Sequence, residues 1–197
     1  EQAGLRPCKR CQPTRERAQL INQVVHDLAR HIDAQPELPL KLADLAKRTG
    51  YSPFHLQRSF KAVIGSTPKE YQTAARLRTL KRELRNDANV SDAIYEAGFG
   101  SGSRVYEKAD GQLGMTPSEY RSGGKGLVIS YASGQTPLGL LMIGATDRGI
   151  CFLQFGETHE ALATELQRQF PAATAQAMPA SHVRELDAWM AALNRHL

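Results

Sequence analysis

Gly65-Ser66-Thr67-Pro68-Lys69-Glu70-Tyr71 returns 49 positions later as Gly114-Met115-Thr116-Pro117-Ser118-Glu119-Tyr120. Each copy closes a block built from a short helix pattern, a glycine turn and a second helix. In the first block these are Leu42-Ala43-Asp44-Leu45-Ala46, then Gly50-Tyr51, then Ser52 to Ile64. In the second they are Val90-Ser91-Asp92-Ala93-Ile94, then Gly98-Phe99, then Ser101 to Leu113. A duplicated pair of short helices across a glycine turn predicts two helix-turn-helix modules, elements that read DNA in the major groove.

Working outward, Ser52 is placed to cap the second helix of the first module, with Pro53 at its first position. Thr67 and Pro68 open a long helix through about Arg85 in the same way. Tyr71, Ala74, Leu77, Leu80 and Leu84 are its expected buried stripe. Arg76, Arg78, Lys81, Arg82 and Arg85 lie on its other face, as a solvated surface or as phosphate contacts. Upstream, Glu16 to about Ala34 reads as a helix with Ile21, Val24, Val25, Leu28 and Ile32 on one side. Residues 1–15, with Pro7 and Pro13, read as irregular chain.

Around Ser122-Gly123-Gly124 the period changes from helical to strand-like. Leu127–Ala132, Leu140–Ala145 and Ile150–Phe155 are predicted strands, the last two joined through the turn Thr146-Asp147-Arg148-Gly149. Thr158–Phe170 and His182–His196 read as amphipathic helices. The expected fold class is α+β: an all-α double helix-turn-helix domain followed by a small α+β subdomain.

Charge follows this division. Residues 1–125 hold 21 Lys and Arg against 14 Asp and Glu, giving +7, whereas residues 126–197 hold 4 against 6, giving −2. The positive part is the duplicated one, as a polyanion-binding domain requires. No apolar run is long enough to span a bilayer and no secretory leader opens the chain, so no membrane partner is expected. Three cysteines make no disulfide framework, which fits a reducing cytoplasm. A start at Glu1, with Cys8-Lys9-Arg10-Cys11 close behind, reads as a piece of a longer protein.

A recognition helix buries one face and offers polar side chains from the other. In the first module Leu56, Phe60 and Val63 face inward, leaving Phe54, His55, Gln57 and Arg58 toward the groove. Arg pairs with guanine, Gln with adenine, and an aromatic ring packs on a thymine methyl. His55 is expected to pack or to touch phosphate. In the second module Val105 and Leu113 face inward while Ser103, Arg104, Tyr106 and Glu107 face out. Glu107 accepts from a cytosine amino group or pairs with an Arg, so the second module is the weaker reader. No catalytic residue is assigned, and Cys151 reads as a buried core thiol.

The two modules, the long helix between them and the repeated Gly-x-Thr-Pro-x-Glu-Tyr ending resemble the DNA-binding domain of AraC/XylS-type transcription regulators over about residues 17–121. The resemblance implies that two recognition helices enter successive major grooves of double-stranded DNA. Phe54, Gln57 and Arg58 would read from the first helix, and Ser103, Arg104 and Glu107 from the second. Glu107 stands where that family usually has a basic residue, and Ala109 where an aromatic is common.

The flanks extend the match. Leu5-Arg6-Pro7-Cys8-Lys9-Arg10-Cys11-Gln12-Pro13 is similar to the end of the zinc domain of Ada-type adaptive-response proteins. Leu127–Leu197, with Asp147-Arg148-Gly149-Ile150-Cys151, is similar to the ribonuclease-H-like subdomain of an O6-methylguanine-DNA methyltransferase. The resemblance implies three parts: 1–15, 16–123 and 124–197. It implies zinc in the intact protein, with Cys8 and Cys11 as two of the four ligands a structural zinc takes. RNA polymerase is the implied second partner of an activator of repair genes, and a monomer is expected.

In such proteins a zinc-bound thiolate takes a methyl group from DNA, loses negative charge and so strengthens DNA binding. The expectation here is that both acceptor cysteines lie outside this chain. Two other readings stand beside this one: a plain AraC-type regulator with a C-terminal effector-sensing section, and, last, a redox enzyme using Cys8 and Cys11.

Overall fold

The computed structural model describes residues 15–100 and 111–178. By contacts the chain divides into two compact units, Glu1–Thr79 and Leu80–Leu197. The division falls inside the long helix Pro68–Arg85, so it cuts between the two repeated blocks.

The first unit is helical. It holds α1 (Arg15–Ala34), α2 (Leu42–Thr49), α3 (Pro53–Ile64) and most of α4 (Pro68–Arg85). Val25, Leu28, Ala29 and Ile32 of α1 meet Leu56 and Phe60 of α3 and Ala75 of α4 in one buried cluster. The i, i+3, i+4, i+7 spacing of the α1 residues puts them on one stripe, and Leu56 and Phe60 are one turn apart on α3. Edging this core, the Tyr71 ring meets Phe60 edge-on at 5.6 Å.

The α4 stripe differs from the expected one. Ala74 is exposed, and the buried line runs through Gln72, Ala75, Leu80 and Leu84, with Tyr71 and Leu77 half-buried. Gln72 is buried and polar, and its Nε2 donates to the carbonyls of Pro36 (3.1 Å) and Leu38 (2.6 Å). It satisfies backbone acceptors in the turn that follows α1, as a buried amide must.

The second unit holds the end of α4, α5 (Val90–Glu96), helical residues 111–113, α6 (Pro117–Arg121) and a four-stranded sheet. Its strands are β1 (Val128–Thr136), β2 (Gly139–Thr146), β3 (Gly149–Gly156) and β4 (Thr174–Ala177), in the order β3-β2-β1-β4. β1, β2 and β3 form an antiparallel meander, and β4 returns parallel to β1 after α7 (His159–Gln169). Leu141 to Ala145 of central β2 are all buried, and Leu162 and Leu166 of α7 are buried as well. β1 runs past the predicted Ala132 because Ser133 to Thr136 pair with Met142 to Gly139. Among the described residues the fold is α+β, as expected. The predicted helix His182–His196 lies outside them.

Candidate nucleic-acid interface

Helix α3 is set by its ends. Ser52 accepts from the His55 backbone N–H at 3.2 Å, Pro53 occupies the first turn, and Gly65 closes the helix in the left-handed conformation. The Tyr51 ring lies flat on His55, with centroids 5.1 Å apart and an 8° interplanar angle. This stack spans the turn between α2 and α3, at the first turn of α3.

With Leu56 and Phe60 fully buried, the opposite face is set by helical geometry. Phe54, His55, Gln57 and Arg58 are all exposed, and Phe54 is 73% exposed despite its apolar ring. Phe54, Gln57, Arg58, Lys61 and Ala62 follow one another at i, i+3, i+4, i+7 and i+8. They line a shallow hollow of about 420 Å³ together with Thr67. An open, apolar-floored hollow beside an amide, a guanidinium and an ammonium has the donors and the methyl contact that base edges and phosphates require. Lys61 and Ala62 were not singled out from the sequence, although the same helical spacing that picks Arg58 extends to them.

Ser103, Arg104 and Glu107 lie outside the described residues, as do Cys8 and Cys11. Among the described residues no cluster of three or more His, Cys, Asp or Glu could hold a metal.

The basic face of α4 divides: Arg76 and Lys81 are half-buried, whereas Arg78, Arg82 and Arg85 are exposed. Arg76 donates through Nε to the Pro36 carbonyl (2.7 Å) and through Nη2 to that of Glu37 (3.1 Å), and burial holds its pKa below the usual guanidinium value. Arg78 pairs with Asp33 at 2.5 Å, and Arg82 with Glu83 at 3.0 Å. Arg85 donates to Gln169 at 2.7 Å and lies over the Tyr120 ring at 5.6 Å. Lys81 lies 6.0 Å from the same ring, and burial, then the Arg85 charge, lowers its pKa. Arg76 and Lys81 thus brace the fold, while Arg78, Arg82 and Arg85 lie on a solvated surface, one of the two expectations, each beside a protein partner.

Cys151 is buried on β3, and its Sγ lies 3.4 Å from the Gly144 carbonyl. Burial pushes its thiol up to about 11, so it is a protonated core residue rather than a nucleophile. Arg148, in the turn between β2 and β3, donates to Glu119 at 2.7 Å. Nothing in the sequence paired these two residues.

Comparison with known proteins places these features. Residues 45–123 match a helix-turn-helix domain family, and residues 129–192 match the ribonuclease-like domain of 6-O-methylguanine DNA methyltransferase. The chain is 41% identical over 198 residues to the bifunctional transcriptional activator/DNA repair enzyme Ada of Escherichia coli (strain K12), covering 98% of this chain and 54% of that protein. It is 40% identical over 192 residues to the regulatory protein ada of Salmonella typhimurium, with the same coverage. Regulatory protein SoxS of Escherichia coli (strain K12) is 34% identical over 103 residues, which is 94% of its length. The chain thus spans about half the length of the first two relatives and most of the third.

Proposed function

The chain belongs to the Ada-type family, in which an AraC-like helix-turn-helix regulator is joined to a methylguanine-DNA methyltransferase module, and on that premise we propose that it reads specific double-stranded DNA to regulate the response to DNA alkylation. The observation that carries the reading is the outer face of α3. There Phe54, Gln57 and Arg58 stand exposed on a helix whose opposite side is locked into the core.

In this assignment residues 16–123 read DNA. Gln57 and Arg58 contact base edges, Phe54 packs on a thymine methyl, and His55 orients the start of the helix. Ser103, Arg104 and Glu107 read from the second module. Residues 124–197 are the ribonuclease-like part of the methyltransferase, which the match over 129–192 favours over an effector-sensing domain. Residues 1–15 close a zinc domain, with Cys8 and Cys11 giving two of four thiolates that would hold the ion; zinc there organises the fold of that domain. RNA polymerase is the partner of the activating surface, and the protein acts as a monomer in the cytoplasm. Among the described residues no helix is long and apolar enough to cross a membrane.

The test uses the full chain and a duplex selected by it from a random-sequence pool. Arg58→Ala is expected to weaken binding to the selected duplex by about 1–3 kcal/mol and to blur base preference at one position. Equal loss on a scrambled duplex would show that Arg58 touches phosphate only, and would overturn base reading by this residue.

A further inference from the structure

The second repeated phrase is bonded to the sheet at several independent points. Thr146, at the end of β2, donates its hydroxyl to the Gly114 carbonyl and accepts from the Arg148 backbone N–H at 3.0 Å. The Arg148 guanidinium donates to Glu119 Oε2 at 2.7 Å. The same carboxylate accepts from the backbone N–H (2.7 Å) and hydroxyl (2.8 Å) of Thr116, which cap α6. Hairpin turn and helix cap therefore close a ring of hydrogen bonds. Beneath it the backbone of β3 lies so near Gly114 that a Cβ there would stand 2.5 Å from the Gly149 carbonyl oxygen. Tyr120 meets Phe170 edge-on at 5.6 Å, and Ala172 N–H donates to the Gly123 carbonyl at 3.0 Å.

We propose that the β2–β3 hairpin is a latch that holds the second helix-turn-helix in its DNA-reading pose, so that the ribonuclease-like subdomain positions that module. The inference rests on the proposed DNA reading. Its physical basis is that Gly114 directly follows helical residues 111–113, which come a few positions after Ser103, Arg104 and Glu107 in sequence. A module pinned at Gly114 by backbone contact and two polar anchors loses less orientational freedom when DNA binds, so affinity rises without any new DNA contact. Arg148 and Thr146 are positioning residues in this scheme. The division of the chain agrees, since α5, α6 and the sheet fall in one compact unit.

The experiment compares two duplexes with the full chain. One is selected from a random-sequence pool, and the other is the same duplex with the half protected by the second module scrambled. Thr146→Val with Arg148→Ala is expected to bind the intact duplex about five- to thirtyfold more weakly and the half-scrambled duplex equally well. Arg148→Lys, which keeps a donor for Glu119, should recover part of the loss. Arg148→Ala alone removes only a 40% exposed side chain and gives the same comparison with the core untouched. Equal weakening on both duplexes would mean that Arg148 contacts DNA directly, and no weakening on either would mean that the second module needs no latch. Each result overturns the proposal. Arg58→Ala is the control: if it too changes neither duplex, DNA reading by α3 has failed, rather than the latch.

Discussion

The two copies of the repeated phrase build the same local structure and end in different surroundings. In the first, Glu70 accepts from Thr67 N–H and hydroxyl at 2.8 Å each and caps α4; in the second, Glu119 does the same for α6. Both leading glycines are left-handed, with φ of +89° at Gly65 and +67° at Gly114. Beyond that they part. Nothing lies within 4 Å of a Cβ added at Gly65, whereas one at Gly114 would strike the backbone of Gly149 to Cys151. Tyr71 is half-buried, with its hydroxyl on Asp33 at 2.8 Å, whereas Tyr120 is 4% exposed against Phe170. A seven-residue phrase thus dictates a turn and a cap through neighbours in sequence. Whether that turn becomes a free surface or a docking point depends on what the distant chain brings to it.

The largest expected difference between the copies is at the glycines. Gly65→Ala meets only the strain of a left-handed alanine, about 1–2 kcal/mol. Gly114→Ala adds overpacking against β3, for a total of about 3–5 kcal/mol. Urea denaturation of the two variants measures the gap. Equal losses would mean that the β3 backbone gives way at little cost and that Gly114 is no more than a turn residue.

The tyrosines come next. Tyr120→Ala removes a buried ring and should cost about 3–5 kcal/mol. Tyr71→Ala takes away a half-buried ring and one hydrogen bond, for about 2 kcal/mol. Calorimetric unfolding of both variants ranks them. A Tyr71 loss as large as that of Tyr120 would show that the Asp33 and Arg78 contacts carry far more than exposed polar contacts usually do.

What the sequence revealed follows the same line between near and far. Helices α1 to α5, the glycine turns, the Ser52 cap and the β2–β3 hairpin were legible because each is signalled by residues within a few positions of one another. So was the outward face of α3, since burial of Leu56 and Phe60 leaves the rest by helical geometry. Strand β4 was not legible: Thr-Ala-Gln-Ala is short, exposed throughout and defined by its pairing with β1. The protein partners of Arg76, Arg78 and Lys81 were hidden for a related reason. These are Pro36, Glu37, Asp33 and Tyr120, all distant in sequence. The Arg148–Glu119 pair, 29 positions apart, belongs with them.

The smallest expected effect separates the two capping glutamates by acid. Hydrogen bonds from Thr67 hold the Glu70 carboxyl below its ordinary value. Partial burial pushes Glu119 up, but donation by Thr116 and then by Arg148 brings it below the ordinary value on balance. A carboxyl lowered by folding adds stability above its unfolded value, near 4.5, and loses it as pH falls through the folded value. Glutamine still accepts a hydrogen bond at that position of a capping box, so Glu→Gln removes the charge and keeps the cap. Glu119→Gln should therefore flatten the fall of melting temperature below about pH 4.5, with little change in shape above it. Glu70→Gln should flatten it less, because among the described residues Lys61 acts on Glu70 through its charge alone, with no donated hydrogen bond. Parallel acid profiles for the two variants would show that Arg148 adds nothing to the second cap in solution, leaving Thr146 and the Gly114 backbone contact to hold the hairpin against α6.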